Sequence, residues 1–275
     1  MGVLHVEWIW GLAGSLIIAG AAYWKGSLSL SGLAAAVLLG TSMFALGNLA
    51  WFGTLIAFFV SSTLLSKLKH QRKSAAESGY AKGGRRDAGQ VAANGGLGLL
   101  LCIGNAVWPD PAWWIVFVGV MATVNADTWA TEIGGMSLST PRSIINGKRV
   151  LAGTSGGVTG LGLLASLLGG AFIGLVSGWF SQMIELEYGV GVFAALIVLG
   201  AVSGLIGSLA DSWLGATLQV MYQCIVCGKT IEKQLHCGQK AAQIRGMSWM
   251  TNDMVNAISS LVGGVMCLAI SILIF

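Results

Sequence analysis

Charged residues are scarce in this chain. Lysine, arginine, aspartate and glutamate together make up 9% of its 275 residues, whereas 55% are hydrophobic. Soluble domains carry about 25% charged residues, so this chain has too few charges to cover its surface in water. The composition excludes a water-soluble protein and predicts an integral membrane protein, in agreement with a mean hydropathy of +0.77.

Other absences narrow the class further. The five cysteines do not have the pattern of a secreted disulfide framework, because three of them cluster in one polar loop. No basic residue precedes the first apolar run, which begins after Glu7, so we expect a membrane helix there and not a cleavable signal. Glycine, in contrast, is abundant at 41 residues, which favours close helix packing.

Apolar runs of about 20 residues, the length that spans a bilayer, divide the chain into predicted helices. We predict an all-α, polytopic membrane helix bundle of about eight transmembrane helices, in a single domain covering residues 1–275. The predicted helices are 8–24, 27–46, 48–66, 90–108, 112–132, 154–180, 189–218 and 252–275. The boundary between the second and third, at Gly47 and Asn48, is the weakest.

The basic residues predict the orientation of the bundle. All fifteen fall in the four loops that eight spans place on one side, which include a basic loop at 67–89 and a Cys/His loop at 220–250. The opposite side has no lysine or arginine, and its charged residues are Glu7, Asp110, Glu185 and Glu187. The positive-inside rule therefore predicts cytoplasmic basic loops and both termini outside, as in a multi-pass protein of the cell membrane.

Two inward-running helices end in the same short motif, "NADTW" at 125–129 and "ADSW" at 210–213. Acids inside membrane spans cost roughly 2.5–3.5 kcal/mol at the helix centre, so they mark functional sites. Carboxylates from several helices repel one another unless a cation joins them, and hard oxygen ligands favour Mg²⁺. We predict Asp127 and Asp211 as catalytic residues and Mg²⁺ ligands, with Glu132 and Asp253 completing the metal set. The alternative is a group of helix-end acids that face water or pair with loop lysines.

A basic, Gly-rich turn at 147–157 is predicted to open the sixth helix, although its spacing is not that of a Walker A motif. Backbone N–H groups at a helix N-terminus bind anions, and glycine allows phosphate to approach closely. Tight packing through GxxxG pairs is the alternative for the turn, and inter-helix hydrogen bonding is the alternative for nearby asparagines. The predicted nucleotide- and phosphate-binding residues are Asn94, Asn125, Lys148, Arg149, Gly153, Thr154, Ser155, Gly156, Gly157, Asn252 and Asn256.

The loop "CIVCGKTIEKQLHCG" at 224–238 contains a Cys-x-x-Cys pair and an adjacent His-Cys pair. Three thiolates and one imidazole can form a tetrahedral zinc site, and a cytoplasmic position argues against a disulfide. The candidate Zn²⁺ ligands are Cys224, Cys227, His236 and Cys237. Adjacent His and Cys residues rarely both bind one ion, so a fourth ligand elsewhere in the chain is one alternative. Reduced cysteines that pack a folded loop are the other.

Several stretches together resemble one integral membrane family, that of domain of unknown function 92, which includes plant phytyl-phosphate kinase and animal transmembrane protein 19. They are "RRDAGQVAANGG" (85–96), "NADTWATEIGG" (125–135), "GTSGGVTGLG" (153–162), "GSLADSWLGATLQ" (207–219), "CIVCGK" with "HCG", and "RGMSWMTNDMVN" (245–256). The pattern of an acid-bearing helix end and a basic, Gly-rich turn is also distantly similar to CTP-dependent prenol kinases and CDP-diacylglycerol synthases.

The resemblance implies a kinase that phosphorylates a prenyl monophosphate to the diphosphate at the cytoplasmic membrane face, with CTP as the expected nucleotide. The implied partners are a nucleoside triphosphate, a prenyl phosphate lipid and the membrane, with no nucleic acid. A prenol kinase and a lipid-phosphate cytidylyltransferase are the enzymatic alternatives. A membrane transporter is the alternative of another class, since intramembrane acids also occur there.

Overall fold

The computed structural model describes residues 2–67, 84–184 and 190–274. Within these ranges the chain forms eight α-helices, which confirms the predicted all-α membrane bundle. They are α1 (Gly2–Trp24), α2 (Leu30–Leu46), α3 (Leu49–Ser66), α4 (Ala88–Val107), α5 (Pro111–Gly134), α6 (Gly160–Ile184), α7 (Val190–Thr217) and α8 (Asn252–Ile274). Most of the predicted basic loop 67–89 lies outside the described residues, as do Glu185 and Glu187.

Polar residues between the apolar runs set where helices begin. The side chain of Asn48 accepts a hydrogen bond from the Ala50 amide (2.8 Å), so α3 starts immediately after α2. Asp110 caps α5 in the same way and is followed by Pro111, whose fixed φ suits the first helical turn. These caps satisfy N–H groups that a helix start leaves unpaired. The predicted boundary at Gly47 and Asn48 is confirmed.

Helix α5 lies at the centre of the bundle and packs against α3, α4, α6, α7 and α8. Residues 117–126 are all buried. The hydroxyl of Thr123 donates to the carbonyl of Gly119 (2.9 Å), one turn earlier in the same helix. Because surrounding helices shield α5 from lipid, it can carry polar residues whose partners come from protein.

Glycine brings α7 and α8 into close contact with α5. A Cβ atom on Gly204 of α7 would lie 3.0 Å from the carbonyl oxygen of Ala122. A Cβ atom on Gly207 of α7 or on Gly263 of α8 would collide with the side chain of Thr123. Small residues let helix backbones approach this closely. The close helix packing expected from the high glycine content is therefore present.

Six of the described helices are long and apolar enough to cross a membrane, namely α1, α3, α4, α6, α7 and α8. The eight predicted spans are therefore present as helices, but two of them have less membrane-spanning character. Helix α2 has 17 residues, or about 25 Å at 1.5 Å per residue. Helix α5 ends in polar residues, which its central position tolerates.

One end of the bundle, which we name the polar end, contains the ends of α1, α3, α5 and α7 and the starts of α2, α4, α6 and α8. Backbone hydrogen bonds of 3.0 Å join the Arg86 amide to the Ser27 carbonyl and the Ser29 amide to the Arg86 carbonyl. They connect the α1–α2 turn to the start of α4. The Lys67 ammonium donates to the Lys25 carbonyl (3.4 Å) and so connects the ends of α3 and α1.

Seven short β-strands lie in two connections at the polar end, a feature absent from the all-helical prediction. Strands β1 (Arg142–Ser143) and β2 (Gly157–Val158) pair before α6. Between α7 and α8 lie β3 (Met221–Gln223), β4 (Thr230–Ile231), β5 (Leu235–His236), β6 (Gln239–Lys240) and β7 (Ala242–Arg245). These form a three-stranded sheet in the order β4-β3-β7 and a β5–β6 hairpin. Helix α6 starts at Gly160, so the Gly-rich turn belongs to a β-hairpin and not to the helix.

Candidate active site

A cavity of about 1000 Å³, which we name the polar cavity, lies at the polar end. Its wall comes from α4, α5, α6, α7 and α8, the Gly-rich turn and the Cys/His loop. The predicted site residues that line it are Asn94, Asp127, Glu132, Gly153, Thr154, Ser155, Gly156, Gly157, Asp211, Asn252, Asp253 and Asn256. Residues far apart in the sequence thus share one wall.

Asp127 of α5 and Asp211 of α7 lie within electrostatic range of each other in this wall. A serine from a neighbouring helix orients each carboxylate. Ser208 Oγ donates to Asp127 Oδ1 (3.4 Å), and Ser259 Oγ donates to Asp211 Oδ2 (2.9 Å). Two like charges held this close repel each other, and a bound cation removes that repulsion.

The wall of the polar cavity is strongly acidic. Its carboxylates are Asp127, Glu132, Asp211, Glu232 and Asp253, whereas Arg86 is its one lysine or arginine among the described residues. No three of these carboxylates, within the described ranges, have oxygen atoms close enough to hold one ion. Glu132 accepts a hydrogen bond from Ser66 and interacts with Arg86. The four carboxylates predicted to hold one metal ion therefore do not form a single cluster. Asp127 and Asp211 interact with each other, whereas Glu132 interacts with Ser66 and Arg86.

Arg86 was not assigned to the site by the sequence analysis. Its guanidinium donates to Thr63 Oγ1 (3.2 Å) and to Ser66 Oγ (3.5 Å). It also lies 5.8 Å from the centre of the Phe59 ring. Burial lowers the pKa of the guanidinium and Glu132 opposes that shift, but an arginine stays charged in proteins. Arg86 is therefore a fixed cation in the cavity wall.

An apolar groove of about 60 Å³ lies between α1, α2, α3 and α4. Its apolar lining includes Ala19, Ala36, Leu55, Phe59 and Val91. The groove and the polar cavity share three lining residues, Arg86, Gln90 and Asn94. A molecule with a charged head and an apolar tail can therefore contact both spaces at once.

The Gly-rich turn lies against α7. Gly153 and Gly156 have φ angles of 83° and 81°, which favour glycine. A Cβ atom on Gly156 would lie 2.8 Å from the Ser212 carbonyl oxygen, so only glycine fits beside α7. The amides of Thr154 and Gly157 donate to carbonyls within the turn. The sequence predicted that the backbone amides of 153–157 bind phosphate. Two of these five amides are already used within the turn and are not open to it.

Ser155 connects this turn to the Cys/His loop through a short chain of hydrogen bonds. Ser155 Oγ donates to Gln219 Oε1 (2.9 Å). Gln219 Nε2 then donates to Glu232 Oε1 (2.9 Å). All three residues line the polar cavity, so hydrogen bonds join the Gly-rich turn, the end of α7 and the Cys/His loop in one wall.

Asparagines lie at the α4 and α8 side of the cavity. Asn256 Nδ2 donates to Asn94 Oδ1 (3.5 Å), and Asn252 is exposed to the cavity nearby. Asp87 and Gln90 form a capping box at the start of α4, with the Gln90 amide donating to Asp87 Oδ1 (2.9 Å). Asp87 therefore serves the helix start.

Asn125 does not line the cavity, and the structure corrects its predicted nucleotide contact. Its side chain is fully buried. Asn125 Nδ2 donates to the Gly169 carbonyl (2.7 Å), and Ser61 Oγ donates to Asn125 Oδ1 (2.8 Å). Both polar atoms of the side-chain amide thus join α5 to α6 and α3. Asn125 and Asp127 are two residues apart on the helix and point about 200° apart, so only Asp127 faces the cavity.

Lys148 and Arg149 are exposed on the hairpin between β1 and β2, and neither lines the polar cavity. Arg149 pairs with Arg142 in an antiparallel bridge within this hairpin. The predicted phosphate contacts of Lys148 and Arg149 are corrected accordingly. Arg86, from a different loop, is the cation that occupies the wall.

The four predicted zinc ligands do come together. The sulfur atoms of Cys224, Cys227 and Cys237 and a ring nitrogen of His236 all lie within 4.8 Å of one another. Hydrogen bonding from the Cys227 backbone lowers the pKa of the Cys224 thiol to about 6. Within the described ranges, this is the only group of three or more His, Cys, Asp or Glu residues arranged to hold one ion.

Residues 13–264 match the model of the family described as integral membrane protein DUF92. The chain belongs to this family. The match includes every candidate site residue of the polar cavity, so the wall described above is built from the family's shared region.

Several curated proteins are similar to the chain. Protein PGR of Arabidopsis thaliana is 34% identical over 95% of this chain and 95% of its own length. Protein VTE6, chloroplastic, of the same plant is 28% identical over 88% of this chain but only 64% of its own length. The uncharacterized membrane protein MJ0933 of Methanocaldococcus jannaschii is 29% identical over 60% of this chain and 63% of its own. No solved structure matches the chain at a significant level.

Proposed function

We propose that this protein is a phosphotransferase that transfers the γ-phosphoryl group of a nucleoside triphosphate, CTP being expected, to a prenyl monophosphate. One observation carries the proposal. The acidic polar cavity and the apolar groove between α1 and α4 meet at Arg86, Gln90 and Asn94. A lipid phosphate matches the chemistry of this junction, with its head beside Arg86 and the adjoining part of its tail against the groove. The groove is too small for a whole prenyl chain, so the rest of the tail would lie in the surrounding lipid.

The resemblance and the family membership support the same reaction. The motifs quoted above resemble those of the family that includes phytyl-phosphate kinase. The chain is also 28% identical to Protein VTE6, chloroplastic. It is more similar to Protein PGR. The prenyl phosphate and CTP are proposed from the resemblance, and the meeting of the polar cavity with the apolar groove supports a lipid phosphate as the acceptor.

The donor set in the wall fits Mg²⁺. Asp127 and Asp211 supply carboxylate oxygens from two helices, each oriented by a serine hydroxyl. Mg²⁺ is commonly held by one or two carboxylates plus substrate phosphates and water. We propose that Asp127 and Asp211 would hold this ion, which would supply positive charge against the nucleotide phosphates. Asp253 and Glu232 lie in the same wall and add negative charge that would favour a cation there.

The acceptor needs little activation. An oxygen of the prenyl phosphate attacks the γ-phosphorus, and the bond from that phosphorus to the β,γ-bridging oxygen breaks. The products are a prenyl diphosphate and the nucleoside diphosphate. A phosphate monoester is already anionic near neutral pH, so catalysis consists of positioning and charge stabilisation. Arg86 holds the acceptor phosphate, and Asn252 and Asn256 offer hydrogen bonds to the nucleotide.

We propose the cytoplasm as the side that the polar cavity faces, because CTP is a cytoplasmic metabolite and the basic loops surround this end. The membrane is proposed to be the cell membrane. Lys25 and Lys67 are exposed at this end of the bundle, where α1 and α3 end. Their charges attract anionic lipid headgroups.

The test is identification of products by mass. Purified protein in detergent is incubated with Mg²⁺, each nucleoside triphosphate in turn, and a panel of prenols and prenyl monophosphates. We expect prenyl diphosphate and CDP. Phosphorylation of prenols alone makes the protein a prenol kinase, and release of pyrophosphate makes it a cytidylyltransferase. No turnover, together with uptake of solute by proteoliposomes, would replace the proposal with a transporter.

Two adjacent arginines allow the role of Arg86 to be tested, with Arg85 as the matched control. Arg86→Gln is expected to raise KM for the prenyl phosphate by at least about 10-fold, since a charged hydrogen bond contributes about 1.5–3 kcal/mol. Arg85→Gln removes the same charge from an exposed residue outside the cavity wall and is expected to leave KM nearly unchanged. Equal effects of both substitutions would reduce the role of Arg86 to long-range attraction.

A further inference from the structure

We propose that Cys224, Cys227, His236 and Cys237 bind one structural Zn²⁺ ion that fixes the Cys/His loop against the polar cavity. The four ligand atoms come from two separate turns, one between β3 and β4 and the other between β5 and β6. This inference concerns metal binding and folding, and it does not depend on the reaction proposed above.

The distances agree with a tetrahedral site. His236 Nδ1 lies 3.5 Å from Cys227 Sγ and 3.2 Å from Cys237 Sγ. All pairs of ligand atoms lie within 4.8 Å. Ligands at 2.0–2.3 Å from a tetrahedral Zn²⁺ are separated from each other by roughly 3.3–3.8 Å. The thiols are free of disulfide bonds, so all three sulfurs can act as thiolates.

The first turn is a tight return held by two backbone hydrogen bonds. The amide of Gly228 donates to the Cys224 carbonyl (2.9 Å), and the amide of Cys224 donates to the Lys229 carbonyl (2.9 Å). Gly228 has a φ of 71°, which favours glycine. This return brings the sulfur atoms of Cys224 and Cys227 within 4.8 Å of each other.

The second turn has a cysteine where glycine or asparagine is usual. His236 pairs with Gln239, so Cys237 and Gly238 are the two central residues of the β5–β6 hairpin. Their φ angles are 50° and 75°, as in a type I′ turn. Cys237 is the one non-glycine residue with positive φ in the described ranges. Such a conformation costs of order 1–3 kcal/mol and persists where a function requires the side chain.

This turn also explains how adjacent residues share a metal. On an extended strand, His236 and Cys237 would point to opposite faces. The left-handed conformation of Cys237 reverses the chain and brings its sulfur to the same side as the His236 ring, 3.2 Å from Nδ1.

The Cys/His loop is too small to fold on an apolar core alone. Its buried core consists of Val220, Tyr222, Cys224 and Ile231. Units below about 40 residues usually need a metal or disulfides. The segment 232–234 connects the two metal-binding hairpins and carries Glu232 and Gln234 into the cavity wall. A zinc ion between the hairpins therefore holds these two side chains in place.

The experiment measures zinc in the full chain, purified in detergent without chelators, by plasma mass spectrometry. We expect about one Zn²⁺ per chain, by the stoichiometry of a structural site. Cys224→Ala, Cys227→Ala, His236→Ala and Cys237→Ala are each expected to lose it. Cys102→Ala and Cys267→Ala are matched controls, because both cysteines are free and buried between membrane helices. They are expected to keep the metal.

Cys237→Gly separates a metal ligand from a turn residue. Glycine accepts a φ of 50° without strain, so a purely structural turn would be unchanged or stabilised by this substitution. We expect loss of zinc and a lower melting temperature. Cobalt-loaded wild-type protein is expected to show the visible absorption of a tetrahedral thiolate site, and Cys237→Gly to lack it.

Metal-free wild-type protein that stays monodisperse, or a disulfide between Cys227 and Cys237 after purification under reducing conditions, would overturn the proposal. Asp127→Asn is expected to keep the zinc whatever its activity. A failed kinase assay with intact zinc binding would therefore refute the reaction and leave this site standing.

Discussion

Helices α5 and α7 end in nearly the same residues, Asp-Thr-Trp at 127–129 and Asp-Ser-Trp at 211–213, but the surroundings of the two ends differ. Trp129 stacks on Phe172 with 5.5 Å between ring centres, and its Nε1 donates to Ser61 Oγ (3.5 Å). Trp213 is 50% exposed. Each aspartate, in contrast, faces the polar cavity and is held by a serine. The repeat therefore preserves the carboxylate, while its tryptophan packs in one helix and faces outward in the other.

The largest effect is expected from the two aspartates. Asp127→Asn and Asp211→Asn should each lower phosphoryl transfer by at least about 100-fold, because charge stabilisation by a metal contributes several kcal/mol. Asp110→Asn is the control, since it changes a carboxylate at the opposite end of α5 and asparagine still caps a helix. The measurement is product formation by protein that elutes as a single species. Full activity of either cavity variant would exclude that carboxylate from the ion.

The tryptophans should differ most in stability. Trp129→Ala is expected to destabilise the protein by about 3 kcal/mol, because it removes an aromatic side chain packed between α5 and α6. Trp213→Ala should change the melting temperature little. Thermal unfolding of both variants in one detergent measures the difference. Equal destabilisation would show that the outward face of α7 is covered by a partner or an ordered lipid.

Asn125 has no polar counterpart on α7, where Leu209 occupies the matching position. Asn125→Leu should lower stability by about 2 kcal/mol, because it removes both hydrogen bonds of a buried amide and leaves the Gly169 carbonyl without this donor. KM for the nucleotide should stay unchanged in active protein. A selective rise in that KM would restore the nucleotide contact predicted from the sequence.

The smallest effect is expected from the serines. Ser259→Ala should reduce turnover by about 10-fold, since orienting partners of metal ligands typically matter by 10–100-fold. Ser208→Ala should have a smaller effect because its bond to Asp127 is longer, at 3.4 Å against 2.9 Å. Steady-state kinetics over a range of Mg²⁺ concentrations compares the two. The reverse order would indicate that Asp127 is the more tightly held ligand during turnover.

The sequence predicts much of the helical fold and many of the residues that line the polar cavity. Apolar runs and polar interruptions gave all eight helices, and the loop charges indicated which helix ends share a side. Strands of two to four residues escape this reasoning, because they carry too few residues to show alternation. The Gly-rich turn was assigned to a helix start for that reason.

Some residues of the polar cavity could be identified from the sequence, and others only from the fold. Asp127 and Asp211 were found because a carboxylate within an apolar run is costly. Asn125 was misassigned by its proximity in sequence, although helix geometry directs it to the other face. Arg86 and Glu232 lie in loops with other charges, and only the fold distinguishes a basic or acidic residue in the wall from its exposed neighbours.

The central position of α5 has a consequence for biosynthesis. This helix ends in polar residues that line the polar cavity or are enclosed by other helices. It is synthesised before α6, α7 and α8, three of the helices that enclose it. The polar end of α5 is therefore enclosed by protein only after later parts of the chain have been made.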